Sequence, residues 1–271
     1  MRLDLHMHST ASDGAVAPTE VVRRAVAGRL DVIALADHDT TGGVKEAIAE
    51  AEAHPIQVVP AIEMSSTQDG QDLHILGYFV DPDAVSITSH RTHASTGRVE
   101  RLLAMVERLK GEGIEVDVDA VIAKANAEGR NVGRPHLAQA MVEAGHVASV
   151  QEAFDRYISD DHAAFVPTSL QDPAGAISAI VAAGGLPVWA HPPKDRVQEL
   201  TPAFHEAGLR GLEVYRPSHS SAYTAELEDL SSRLDLLRTG GSDWHGPKDG
   251  DLGRFYVGAD EVAEFLEVGG I

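Results

Sequence analysis

The chain has 271 residues, no cysteine and a formal net charge of −20. Without cysteine there are no disulfides, thiolate metal sites, iron–sulfur clusters or cysteine nucleophiles, and the acidic balance argues against nonspecific binding to long nucleic acid or membrane faces. The length suits one large domain, or one domain carrying an inserted subdomain. Because 43% of residues are hydrophobic but only 5% aromatic, the core must be built mostly from Ala, Val, Ile and Leu.

In chain order, Arg2–Leu5 reads as a buried strand entered directly from Met1, with no signal-peptide pattern. No apolar stretch is long enough to span a bilayer, so a cytoplasmic protein is expected. Helical spacing follows over Pro18–Ala27, strand character over Val32–Ala36, a helix over Gly43–Glu52, then strands over Gln57–Ile62 and His74–Phe79. From about residue 91 to 164 the pattern is almost wholly helical. Its segments are Arg98–Gly111, Asp119–Ala127, Pro135–Ala144 and Gln151–Ile158, separated by turns containing Gly or Asn. Beyond it, strands over Leu186–Ala190, Gly211–Val214 and Leu236–Leu237 alternate with helices over Pro173–Ala183, Thr201–Ala207 and Ala222–Arg233. A strand over Phe255–Val257 comes last, and Glu267–Ile271 reads as a frayed tail. Strands alternating with helices predict an α/β fold with a mostly parallel sheet. The helical stretch makes residues 91–164 an insertion between 1–90 and 165–271.

The polar residues with chemical potential fall at strand ends. Arg2–Leu5 runs into His6-Met7-His8-Ser9, with Asp13 just beyond, and Val32–Ala36 runs into Asp37-His38-Asp39. Glu63 follows Ile62, His191-Pro192 follows Ala190, and Ser242-Asp243-Trp244-His245 follows Gly240-Gly241. In a parallel barrel the carboxyl ends of the strands gather on one face, so residues distant in sequence converge there. Alternate residues of a strand point to one side, which lets His6 and His8, or Asp243 and His245, reach one ion. Mixed imidazole and carboxylate donors suit divalent ions such as Mn, Fe or Zn, and a set this large needs two or three of them. Each residue also has a plainer reading. His74 alone would be a hydrogen-bonded strand histidine, Asp13-Gly14 a turn, and Asp37 or Asp39 a helix N-cap, a role the position before Thr40 gives Asp39.

Taken together, His6-Met7-His8-Ser9, Asp13-Gly14, Asp37-His38-Asp39, Glu63, His74, His191-Pro192 and Gly241-Ser242-Asp243-Trp244-His245-Gly246 resemble the PHP (polymerase and histidinol phosphatase) family. The likeness runs from first strand to last. It is nearest to the stand-alone bacterial members with a helical insertion, which resemble 3',5'-nucleoside bisphosphate phosphatases and RNase AM. The resemblance implies a distorted seven-stranded (β/α) barrel with two or three divalent ions, usually Mn. The ligands it implies are His6, His8, Asp13, His38, Glu63, His74, His191, Asp243 and His245, with Glu63 between two ions. It also implies phosphoester hydrolysis by water that the ions activate, with Asp13, His38, Glu63 and His219 as candidate catalytic residues. The implied partner is a small phosphorylated substrate, a nucleotide first, rather than long nucleic acid or membrane.

Cationic side chains are the natural substrate contacts. Gly133-Arg134-Pro135-His136, introduced by Asn131, opens a predicted helix with Pro in its first turn. Arg134 there can clamp a phosphate, with His136 beside it. Lys194 after His191-Pro192-Pro193, Arg216, and His219 in Tyr215-Arg216-Pro217-Ser218-His219 are further candidates. A 5'-3' exonuclease on short oligonucleotides, a histidinol-phosphate-type phosphatase and a C–N-cleaving amidohydrolase are the competing readings. The last opens with a similar His-x-His but commonly bridges its metals with a modified Lys, and no Lys occupies a matching strand end here.

Overall fold

In the computed structural model, which describes residues 1–127, 132–159, 161–167 and 170–271, the chain divides into two compact units. The first comprises residues 1–66, 73–91 and 171–271, and the second residues 67–72 and 92–170. Asn131 and the turn expected around Gly129 lie outside the described residues.

The first unit opens on β1 (Arg2–Met7). α1 (Pro18–Ala27) starts at a proline in its first turn and buries Val21, Val22 and Ala25. β2 (Val32–Leu35) and α2 (Val44–Ala51) follow. Gly43 is the N-cap of α2, so Asp39 is not the helix cap expected of it; its carboxylate is directed elsewhere. β3 (Gln57–Gln68) runs well past the expected end at Ile62 and turns back into β4 (Gln71–Tyr78) through Asp69-Gly70. Both turn residues have positive φ, 53° and 79°, the geometry for which Asp-Gly is favoured in two-residue hairpins.

α3 (Val85–Gly111) leaves the first unit and enters the second. There α4 (Val118–Ala127), α5 (Arg134–Glu143) and the short α6 (Val150–Ala153) complete a helical core. Leu102, Met105 and Leu109 pack with Val121, Ala125, Leu137 and Met141, all aliphatic or Met as the composition requires. No described helix is long and apolar enough to cross a membrane.

Returning to the first unit, α7 (Pro173–Ala182) is capped by Asp172, whose carboxylate accepts from Gly175 N–H at 2.7 Å. Then come β5 (Leu186–Trp189), α8 (Val197–Glu206), β6 (Gly211–Tyr215), α9 (Ser221–Leu234), β7 (Leu237–Gly240), β8 (Val257–Gly258) and α10 (Ala263–Gly269). The expected frayed tail is instead helical: α10 ends at Gly270 in the left-handed conformation, and Ile271 N–H donates to Leu266 O at 3.0 Å.

The strands form one sheet in the order β7-β6-β5-β4-β3-β2-β1-β8. β1, β2 and β3 are parallel neighbours, as are β5, β6 and β7, whereas β4 is antiparallel to β5 and β8 to β1. The resemblance implied seven strands; the eighth is the two-residue β8 on the outer edge of β1. The sheet nearly closes where the end of β7 meets β1. Asp243 N–H donates to His6 O at 2.8 Å and Met7 bridges Trp244. Leu3, Leu5, Ala34, Ala61, Val188 and Leu237 fill the interior. Outside, Met7, Val21, Ile33 and Leu35 pack under α1 and α2, while Ile177, Trp189, Leu212 and Leu227 pack under α7 to α9.

Candidate metal centre

A shift of register in β1 begins the site. Leu3 lies opposite Val32 and Asp4 opposite Ile33, yet Met7 lies opposite Leu35, so β1 carries one residue more than β2 over this stretch. Such a bulge lets neighbouring residues face the same way and re-aims a side chain. Leu5 stays in the interior, Met7 returns to the outer layer, and His6 reaches the inner pocket.

At its centre Glu63 is fully buried on β3, in a bridge with His38 after β2. Its Oε2 lies 3.2 Å from His6 Nε2, 3.3 Å from His8 Nε2 and 3.1 Å from His38 Nδ1. Its Oε1 lies 3.0 Å from His74 Nδ1 and 2.9 Å from His191 Nε2. Five imidazoles from different parts of the chain therefore meet one carboxylate. Asp243 Oδ1 stands 3.1 Å from His8 Nε2 and 3.4 Å from His6 Nε2. Asp13 faces His8 at 3.7 Å, His38 at 3.8 Å and His245 at 3.4 Å. All nine residues singled out from the sequence are brought together.

His74 arrives by an unexpected route. β1, β2, β5 and β7 bring their carboxyl ends to this face; β4 runs the opposite way to β5 and offers its beginning. Ala190 N–H donates to His74 O at 3.0 Å, which sets His74 beside His191. Glu63, for its part, lies within a strand rather than after one.

Backbone geometry is unusual at three of these strand ends. His191 has φ 30°, Asp39 φ 57° and Asp243 φ 58°, values that L-residues adopt at a cost and that cluster at functional sites. The strained turns are held by side chains. Asp39 accepts from Ser65 N–H at 2.8 Å, Ser65 Oγ at 3.0 Å and His90 Nε2 at 2.7 Å. Asp37 takes Ser9 N–H, Ser9 Oγ and Ser12 Oγ, each at 2.7 Å, and so bolts the loop after β1 to the end of β2. These two acids act on backbone, hydroxyl and imidazole groups, not on helix ends.

The electrostatics are those of a donor set for cations. Burial alone would discourage ionisation of Glu63, but the field of His38, His6 and His74, with the hydrogen bond to His191, holds its carboxyl well below the usual range. Asp243 and Asp13 are held low in the same way, against burial, by His6 and His8 for the first and His245 and His38 for the second. Burial, reinforced by neighbouring His8 and His74, pushes the pKa of His38 down to about 3 against the pull of Glu63. His6 Nε2, His8 Nδ1, His38 Nδ1 and Glu63 Oε2 are buried without a hydrogen-bond partner. Buried polar atoms left in this state call for an ion. Ligand atoms within 4.8 Å of one another form three overlapping groups: His8-Asp13-His38-His245, His6-His8-Glu63-Asp243 and His38-Glu63-His74. The residues fit two or three divalent ions.

The expected substrate contacts are distributed differently. Lys194 is exposed, with Nζ 5.9 Å from the Tyr223 ring centroid, and His219 stacks edge-on to the same ring at 4.9 Å. Because a carbonyl can only accept, His219 Nδ1–H donates to Val214 O at 2.9 Å, leaving Nε2 as the outward nitrogen. Arg216 spans Glu213 at 2.8 Å and Asp243 at 3.0 Å, two ion pairs that the sequence does not announce. Arg134 and His136 stand in the second unit. There Arg134 donates to Ile158 O at 3.3 Å and lies over the rings of Phe165 and Phe154, while His136 Nδ1 accepts from Gly133 N–H at 3.2 Å.

Sequence reasoning missed Glu213, fully buried and hydrogen-bonded to His6 at 2.8 Å. A lone acid within the apolar run Gly211-Leu212-Glu213-Val214-Tyr215 was its signal.

Comparison with known proteins agrees with this geometry. Residues 4–213 match the PHP domain family. A Haemophilus influenzae protein named 5'-3' exoribonuclease is 35% identical, with 91% of this chain and 90% of that protein aligned. A Chromobacterium violaceum protein named 3',5'-nucleoside bisphosphate phosphatase is 32% identical over 92% of this chain and 88% of its own. A solved Bifidobacterium adolescentis structure, described as a metal-dependent phosphoesterase, superposes with a TM-score of 0.82 at 33% identity, covering 97% of this chain and 95% of its own.

Proposed function

The chain belongs to the PHP domain family, and on that premise we propose that it is a metal-dependent phosphoesterase that removes the 3'-phosphate from a small nucleotide, adenosine 3',5'-bisphosphate first among them. One observation carries the reading: five imidazoles and two further carboxylates gather round the buried Glu63. The proposed ligands are His6, His8, Asp13, His38, Glu63, His74, His191, Asp243 and His245, and the proposed metal is Mn, with Fe or Zn as alternatives. Divalent ions bound by such a set acidify water and offset charge on the phosphoryl group.

The chain's own residues divide the remaining work. Glu63, whose Oε2 faces His6, His8 and His38 and whose Oε1 faces His74 and His191, would offer a carboxylate oxygen to cations held by either group of imidazoles. Lys194, exposed on the loop after β5, supplies a positive charge suited to a phosphate oxygen. His219 has a lowered pKa, through burial first and the neighbouring Arg216 charge after it, so its ring is neutral near pH 7. With Nδ1–H fixed on Val214 O, its Nε2 accepts a proton before it donates one.

The relative from Chromobacterium supports a bisphosphate substrate, and the one from Haemophilus supports the second reading, a 5'-3' exonuclease on short oligonucleotides. The net charge of −20 favours the smaller substrate, since a long polyanion meets repulsion over more of its length. Phosphate release from adenosine 3',5'-bisphosphate and histidinol phosphate, and nucleotide release from a short 5'-phosphorylated oligoribonucleotide, should be measured side by side, with and without chelator. Release is expected from the bisphosphate, and only in the presence of metal. Full activity in chelator would sink the metal reading, while cleavage of the oligonucleotide alone would replace the substrate.

A further inference from the structure

Glu213 is a fully buried acid on β6 that belongs to none of the three groups of converging ligand atoms. Both of its oxygens are committed. Oε1 accepts from His6 Nδ1 at 2.8 Å. Oε2 accepts from the backbone N–H of His191 at 2.7 Å and from Arg216 Nη1 at 2.8 Å. The second arm of Arg216 donates to Asp243 Oδ2 at 3.0 Å. One ion pair on β6 and its following loop thus grips residues of β1, the end of β5 and the end of β7.

Burial of an ion pair contributes little net stability, because desolvation offsets the attraction. The pair therefore calls for another role, and its contacts supply one. We infer that Glu213 and Arg216 are positioning residues that aim His6, His191 and Asp243 at the metal centre and so set its affinity on that side only. The inference rests on the metal-centre reading above.

Three geometric effects support it. A carboxylate on Nδ1–H fixes the His6 tautomer, turning the Nε2 lone pair towards Glu63 at 3.2 Å and Asp243 at 3.4 Å. An anchored N–H holds His191 in its strained φ of 30°, which puts its Nε2 2.9 Å from Glu63. Arg216 occupies Asp243 Oδ2 and leaves Oδ1 as the oxygen facing His6 and His8. Neither residue touches Asp13, His38 or His245 in the described contacts, so the ion taken by that group should not feel the change.

The test is Mn²⁺ binding to the chelator-stripped full chain, followed by calorimetry and by metal analysis after gel filtration. In E213Q a single amide oxygen must serve three donors, and the amide N–H₂ opposes one of them. One Mn²⁺ is expected to bind about 10- to 100-fold more weakly, with the remaining uptake unchanged. D13N is expected to weaken a different part of the same isotherm. R216K, which keeps the charge but loses the forked grip, is expected to shift the E213Q-sensitive phase by a smaller factor, and it decides the matter if E213Q does not fold. Wild-type-like uptake by E213Q and R216K, or an equal fall in every phase alongside a lower metal-free melting temperature, would overturn the inference alone. A wild-type chain that took up no Mn²⁺ would remove the metal-centre reading and this inference with it.

Discussion

Gly241 lies against His6 so closely that any side chain on Gly241 would overlap the Cβ and backbone of His6. The contact closes the barrel: two residues later Asp243 N–H donates to His6 O, tying the end of β7 to β1. Gly241→Ala must push the two strands apart. Overpacking of this kind costs about 1–3 kcal/mol, which urea denaturation would register, and metal uptake should fall with it because four candidate ligands, His6, His8, Asp243 and His245, sit on the displaced segments. Unchanged stability and uptake would show that the seam yields without harm.

Glu63→Gln should be the most damaging conservative change. The amide keeps the shape but brings no charge to five imidazoles. Residues that only support metal ligands cost 10- to 100-fold when altered, so the central carboxylate is expected to cost at least about 100-fold in phosphate release. Steady-state kinetics with saturating Mn²⁺ would check this. A loss of less than tenfold would displace Glu63 from the centre.

Chelation should abolish phosphate release, and added Mn²⁺ should restore it. Ions that bind only the folded chain also stabilise it, by about 2.7 kcal/mol for one site at a hundred times its Kd. The melting temperature should rise with Mn²⁺ concentration and fall after chelation. A melting curve indifferent to both would be incompatible with the proposed ligand set.

The metal-free chain should lose stability as pH rises through the Asp4 transition. Burial raises the Asp4 carboxyl from 3.8 to about 6, opposed by its hydrogen bonds from Ser242. The folded chain holds the proton more tightly than the unfolded one, so this contribution is complete below about pH 4 and is lost as pH climbs past about 6. The loss amounts to about 3 kcal/mol by pH 8, as an order of magnitude. Asp4→Asn can still accept from Ser242 N–H and should remove the slope, leaving the variant more stable than wild type at pH 8 and similar at pH 4. Chemical denaturation at the two pH values decides it.

Most of the candidate site was legible because strand periodicity and parallel order are written locally. His6, His8, His38, His191, Asp243 and His245 follow short apolar runs, and a barrel sends the ends of such runs to one place. What escaped notice depended on pairing across the chain. The Asp69-Gly70 turn reverses β4, and only that reversal explains why His74, at the start of a strand, joins residues at the ends of others. Asp39 carries the composition of a helix cap, but Ser65 and His90, remote in sequence, compete for it and win. The ion pair of Arg216 with Asp243 escaped notice because nothing in its neighbourhood announced it. The tail looked frayed because Glu267–Ile271 has few apolar residues of its own, whereas Phe265 and Leu266 just before it pack into the interior with Ile271 against them.

That last packing has a practical side. Val257, Val262, Phe265 and Leu266 work as a stopper for the barrel, and β8 sheathes the outer border of β1. Cutting the chain before residue 255 would uncork an oily channel and bare a row of unpaired amides, the kind of margin that recruits other molecules. Variants meant to stay in solution should keep this segment whole.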